Sequence, residues 1–86
     1  MKNKKFEIGD IVRIKGWDAK QDYFMIKTRR HLKNKLPELI VYKISKIKTL
    51  GEWIVLEKDC IRILGYKTVE LFNNDKNLLR FLKIYD

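Results

Sequence analysis

A single stretch decides the fold class of this chain: Phe6-Glu7-Ile8-Gly9-Asp10-Ile11-Val12-Arg13-Ile14-Lys15. Within it, Val12 and Ile14 alternate with basic residues, and this period of two is typical of a strand with one buried and one solvated face. The Gly9-Asp10 pair immediately before the alternation is a turn signal. The stretch therefore predicts a first strand that begins at a tight turn.

Three further runs of β-branched and aromatic residues favour strands in the middle of the chain. One run begins at Leu39 or Ile40 and extends to residue 48. A turn over residues 49–52 then leads into a strand over residues 53–56. Residues 60–64 either continue that strand past a bulge or form a separate one.

The C-terminal part is predicted to supply two closing strands. Residues 68–72 are assigned to the first, and a cluster of turn residues follows at 73–77. Residues 78–85 are assigned to the last strand. The alternative for this final segment is a helix capped at Asn74 or Asp75, which the pattern leaves open.

Residues 16–38 form a segment of mixed character between the first two predicted strands. Its start is polar, its middle is apolar, and residues 27–35 are almost wholly basic. We interpret it as a long basic loop. A short helix over residues 23–35, ended by Pro37, is the alternative.

Length and composition predict one globular domain over residues 1–86. Hydrophobic residues make up 45% of the chain and charged residues 36%, which is typical of a folded protein. The single cysteine forms no internal disulfide, and no signal-peptide pattern is recognisable at the start, so we expect a cytoplasmic protein. No apolar run approaches the roughly 20 residues needed to span a bilayer, and no membrane partner is expected.

The charge is concentrated in one half of the sequence. Residues 1–48, which include a basic N-terminal arm at 1–5, carry fourteen basic and five acidic side chains, whereas residues 49–86 carry six of each. The formal net charge of +9 thus lies entirely in the first half. Such asymmetry indicates a polyanionic partner, and nucleic acid is the usual one.

The opening stretch, extended to Gly16, resembles the first strand of SH3-like barrels, including the KOW motif of ribosomal and transcription proteins. The resemblance implies a mainly β fold, a small five-stranded SH3-like barrel with the long basic excursion between its first two strands. It also implies a single 3₁₀ turn before the last strand, which we place at residues 73–77. Small basic SH3-like proteins often bind nucleic acid, and phage and mobile-element genomes encode modules of this kind.

The basic run at residues 27–35 is the strongest candidate for a binding site. It contains no acidic residue, and its arginines can form bidentate hydrogen bonds with phosphate. Aromatic side chains nearby are candidates for stacking on bases. The predicted nucleic-acid-binding residues are Arg13, Lys15, Trp17, Lys20, Tyr23, Lys27, Arg29, Arg30, His31, Lys33, Lys35, Tyr42 and Lys43.

Catalysis is not predicted. His31 is the only histidine, and Cys60 is the only cysteine, for which we expect a buried, structural thiol. No motif for a metal, a cofactor or a catalytic nucleophile is present, so no metal site and no cofactor are expected.

The favoured function is a module that binds nucleic acid through largely sequence-nonspecific contacts with backbone phosphates. The alternative is a protein-interaction module or inhibitor, a mobile-element accessory protein that docks on a nucleic-acid enzyme or an acidic protein surface. The sequence leaves open DNA against RNA, single against double strand, and the oligomeric state.

Overall fold

A computed structural model describes residues 6–17, 22–44 and 51–85. They contain the strands β1 (Ile11–Ile14), β2 (Tyr23–Arg30), β3 (Glu38–Ile44), β4 (Trp53–Leu56) and β5 (Cys60–Leu64), then the helices α1 (Tyr66–Val69) and α2 (Asp75–Tyr85). The strands form one antiparallel sheet in the order β4-β3-β2-β1-β5. A 3₁₀ turn, Glu57–Asp59, separates β4 from β5.

The predicted β-rich class and several predicted strands are confirmed. β1 lies where the alternation of apolar and polar residues placed it, β4 lies where the run of β-branched and aromatic residues placed it, and β3 begins at Glu38, close to the predicted start. Residues 60–64 form a strand of their own, paired with β1. Within the described residues the sheet is open, since β4 and β5 are its two edges.

The predicted long loop at residues 16–38 is wrong, because it contains β2, the central strand of the sheet. The alternative helix over residues 23–35 is wrong for the same reason. The register of β2 against β3 shifts between Ile26 and Thr28, which marks a bulge at Lys27. The bulge interrupts the alternation of apolar and polar residues and thereby hides the strand in the sequence.

The two predicted C-terminal strands are also wrong. Residues 66–69 form α1, whose first backbone N–H, that of Tyr66, donates to the carboxylate of Asp10 at 2.7 Å. Residues 75–85 form α2, where the Asn74 side chain accepts a hydrogen bond from Asn77 N at 2.9 Å, as an N-cap does. Among the described residues, no helix is long and apolar enough to cross a bilayer.

The sheet buries side chains on both faces. One face packs against α2 through a cluster of six buried residues: Ile11, Tyr23, Ile44, Leu78, Leu79 and Leu82. The other face holds a second cluster, with Trp17 and Trp53 packed at its margin: Val12, Phe24, Ile26, Leu39, Val41 and Cys60. Because adjacent residues of β1 and of β2 belong to different clusters, the alternation in these strands serves two cores rather than one core and solvent.

A buried carboxylate joins β1 to β5 and α1. Asp10 is 1% exposed, and its Oδ2 atom accepts hydrogen bonds from Glu7 N and from Arg62 Nε, both at 2.9 Å. Gly9 precedes it at φ +97°, and a Cβ atom at Gly9 would lie 3.1 Å from Cβ of Tyr66. The Gly9-Asp10 turn is therefore a three-way junction, and glycine is required there by both backbone conformation and space.

Candidate nucleic-acid interface

The basic run of the sequence folds into a β-hairpin. β2 and β3 pair up to Arg30 and Glu38, and the turn between them includes Asn34 at φ +63° and a hydrogen bond from Lys35 N to the Leu32 carbonyl at 3.1 Å. Every residue from 31 to 36 is exposed, and we call this segment the hairpin tip. Leu39, near the start of β3, is fully buried, so the exposed part of the hairpin begins where the core ends.

Acidic residues hold the two arginines at the base of this tip. Arg29 Nε donates to Glu57 Oε1 at 2.5 Å, and its Nη2 atom donates to Glu57 Oε2 at 3.4 Å. The hydrogen bond with Glu57 raises the pKa of Arg29 above its usual value. Arg30 Nε donates to Glu38 Oε1 at 2.8 Å across the strand pair. The guanidinium groups of both arginines are thus already bound by carboxylates, which a ligand phosphate would have to displace.

Two lysines of the predicted site are also paired. Lys27 forms an ion pair with Glu52, where both side chains are well exposed. Lys43 Nζ lies 3.5 Å from Asp22 Oδ1. The Lys27–Glu52 pair is exposed, and such pairs contribute only about 0.2–1 kcal/mol, so a ligand phosphate can replace Glu52 at little cost.

Lysines at the tip are in a different state. Lys33 and Lys35 are exposed and have no ion-pair partner within the described ranges, and His31 beside them is also exposed. Lys15, at the end of β1, is likewise exposed, although its backbone N–H donates to the Asp59 carbonyl at 2.7 Å. Lys20 lies outside the described residues. The structure therefore leaves the lysines of the hairpin tip accessible to a ligand.

The predicted stacking residue Tyr23 is buried, and Arg13 beside it is half-buried. Tyr23 is 3% exposed beneath α2, and its hydroxyl donates to the Leu82 carbonyl at 3.5 Å. The guanidinium of Arg13 lies over the Tyr23 ring, 5.2 Å from its centroid, and its Nη2 atom donates to the same hydroxyl at 3.2 Å. This pair ties the sheet to the helix and presents no ring to a ligand.

The other two predicted stacking residues are packed as well. Trp17 makes edge-to-face contacts with Phe24 and Trp53, with ring centroids 5.0 and 5.8 Å apart, and its indole N–H donates to Asp22 at 2.8 Å. Tyr42 donates its hydroxyl proton to the sulfur of Met25 at 2.7 Å, and burial raises the pKa of Tyr42. Both rings contribute to packing.

Sequence reasoning missed a second basic surface, which lies on α2. Lys76, Arg80 and Lys83 are exposed at positions i, i+4 and i+7, and with Leu79 and Ile84 they line a shallow groove. The formal neutrality of residues 49–86 hid this surface, because six acidic residues offset the six basic ones in the sum, although only Asp75, the first residue of α2, lies on the helix with the three cations. The helical spacing of the three cations is the signal that would have found it.

Cys60 is buried, as predicted. Its S–H donates to the Leu56 carbonyl at 3.6 Å, and burial, with smaller contributions from Asp59 and Glu57, raises the pKa of the thiol to about 11. No group of three or more potential metal ligands occurs among the described residues.

No protein family, no characterised protein and no solved structure matches this chain. Its function therefore has to be inferred from its own geometry and charge.

Proposed function

We propose that this protein is a nucleic-acid-binding module that contacts backbone phosphates through the hairpin tip. One observation carries the proposal: exposed cations at the tip have no acidic partner in the described structure, in a chain whose formal charge is +9. Such cations bind phosphate by releasing condensed counterions, and this gain does not require any base to be read.

The paired arginines extend this surface. The Arg30 side chain is 43% exposed, so water screens its ion pair with Glu38. Exchange of the Glu38 carboxylate for a phosphate is therefore nearly neutral in free energy. The lysines of the N-terminal arm add charge that the sequence alone identifies. Contacts with four to six phosphates would give a slope of log affinity against log salt of roughly −4 to −5.

We also propose that the sheet is of the SH3-like kind. The opening stretch forms β1, as in the family it resembles, and a single 3₁₀ turn, Glu57–Asp59, directly precedes the last strand. β1 lies where the sequence placed it, whereas the 3₁₀ turn predicted at residues 73–77 is wrong, because residues 75–77 begin α2 and the turn lies at Glu57–Asp59 instead. Both features support the resemblance. α2 would then be an addition that covers one face of the sheet.

Anisotropy titration of a short labelled duplex at several salt concentrations tests the proposal. The variant Lys33→Ala/Lys35→Ala removes two tip cations, and Lys76→Ala/Lys83→Ala removes the same charge from α2. We expect the tip variant to lower affinity by roughly tenfold and to make the salt slope shallower by about 2, because two phosphate contacts are lost. The α2 variant should change both quantities little.

Equal losses in the two variants would show that the net charge, and not the tip, attracts the ligand. Absence of binding by the unmodified protein near physiological salt would contradict the proposal altogether.

A second candidate function, docking on an acidic protein, is favoured by the groove on α2. There, Lys76, Arg80 and Lys83 surround apolar side chains, and Ile84 is 69% exposed. A mixed cationic and apolar groove suits an acidic amphipathic segment better than a phosphate backbone. A stoichiometric complex that survives nuclease and moderate salt, and that is lost in Arg80→Glu, would support this function.

A further inference from the structure

The aromatic side chains that the structure describes contribute to packing. The nine that the structure describes are each buried or half-buried. Phe6, near the start, lies under the Arg62 guanidinium at 5.0 Å, and Phe72 packs on Phe81 with ring centroids 5.0 Å apart. Proteins that hold single strands rely on exposed rings, each worth roughly 1–3 kcal/mol per stacked base. None of the described rings is fully exposed, which disfavours a single strand as the ligand.

The hairpin tip instead exposes aliphatic side chains between its cations. Leu32 is 46% exposed and Leu36 is 53% exposed, on either side of Lys33-Asn34-Lys35. The hydrogen bond from Lys35 N to the Leu32 carbonyl closes the turn between them. Leucine cannot stack on a base as an aromatic ring does, but aliphatic side chains do enter the grooves of duplex DNA and pack on sugars and base edges.

The shape of the element matches a B-form groove. A two-stranded β-ribbon fits the major groove of DNA, whereas the major groove of A-form RNA is too narrow for side chains to read and its minor groove is shallow. We infer that the ligand of the hairpin is duplex DNA, and that the tip enters a groove with Leu32 and Leu36 in apolar contact and the cations on the flanking phosphates. This inference rests on the proposed function.

Two measurements together test it. The first compares the affinities of the unmodified protein for duplex DNA, single-stranded DNA and duplex RNA of equal length, from which we expect the duplex DNA to bind at least several-fold more tightly than the others. The second compares Leu32→Ser/Leu36→Ser with Leu71→Ser, a leucine that is 79% exposed at another site. Circular dichroism establishes that all three proteins are folded.

For the tip variant we expect affinity for duplex DNA to fall by about tenfold, as loss of apolar contact from two leucines predicts, while the salt slope stays the same. An unchanged slope identifies the loss as non-electrostatic, since no phosphate contact is removed. Leu71→Ser should bind as the unmodified protein does. Equal affinity for the single strand or for duplex RNA, or an unchanged affinity of the tip variant, overturns the inference and leaves phosphate binding standing. Failure to bind any of the three ligands overturns the proposed function itself.

Discussion

The junction around Asp10 and the hairpin tip both gather charged side chains, but only the junction buries them. Asp10 is 1% exposed, and its partner Arg62 has a side chain that is 27% exposed. At the tip, Lys33 and Lys35 are exposed and have no ion-pair partner among the described residues. A buried charge must be paired, whereas an exposed one is stable in water. The charges at the junction therefore stabilise the fold, whereas the charges at the tip are available to a ligand.

The largest expected effect follows from breaking the junction. Asp10→Asn replaces a carboxylate that accepts three hydrogen bonds and removes the negative charge that pairs with the Arg62 guanidinium. We expect the free energy of unfolding to fall by about 2–4 kcal/mol. Urea denaturation measures this change.

Glu52→Gln is the matched control, since it breaks the exposed pair with Lys27. It should cost less than about 1 kcal/mol. If the two variants were equally destabilised, burial would not distinguish the junction from surface pairs.

Cys60 provides a second test of whether burial determines the energetic cost, this time through pH. It is buried in β5, the strand that also carries Arg62. Its pKa rises from 9.0 to about 11 in the folded protein, so between these values the unfolded chain loses the thiol proton and the folded chain keeps it. The folded state then binds more protons, and the free energy of unfolding falls as pH rises from 9 to 11, by up to roughly 2–3 kcal/mol.

Denaturation of the unmodified protein and of Cys60→Ala across this pH range checks the prediction. The alanine variant should show the weaker pH dependence, whatever its absolute stability, because the other titrating groups are retained. Parallel pH profiles for the two proteins would mean that the thiol does not contribute.

Comparison of sequence and structure shows which of these features are local. β1, β4 and β5 follow from alternation and β-propensity, which neighbouring residues determine. The start of α1 depends on Tyr66 N donating to Asp10, across 56 residues, and no local pattern contains that information. For α2, the spacing of Leu78, Leu79 and Leu82 and the Asn74 cap were present in the sequence, but tertiary packing on the sheet decided between helix and strand.

The candidate site shows the same division. The position of the basic run was readable, because adjacent residues carry it. Which of its cations are paired was not, since Arg29 finds Glu57 across 28 residues, through the 3₁₀ turn that follows β4. Burial of Tyr23 likewise depends on α2, whose identity the sequence left open.

The smallest effect is expected for the arginines at the base of the tip. They are paired with carboxylates, as the junction charges are, but they are more exposed than Asp10. Glu38→Gln/Glu57→Gln removes both carboxylates and leaves Arg29 and Arg30 without their counter-charges, which turns a paired site into one that resembles the tip. We expect affinity for duplex DNA to rise by about two- to fivefold and the salt slope to steepen by 1 to 2, since roughly one released counterion accompanies each new phosphate contact.

Glu7→Gln/Glu70→Gln provides the control, because it raises the net charge equally at exposed positions outside the hairpin. A rise confined to the first variant would show that the acids at the base limit how many cations reach the ligand. An equal rise in both would mean that the ligand responds to net charge alone, and the distinction between paired and unpaired cations would then not extend to binding.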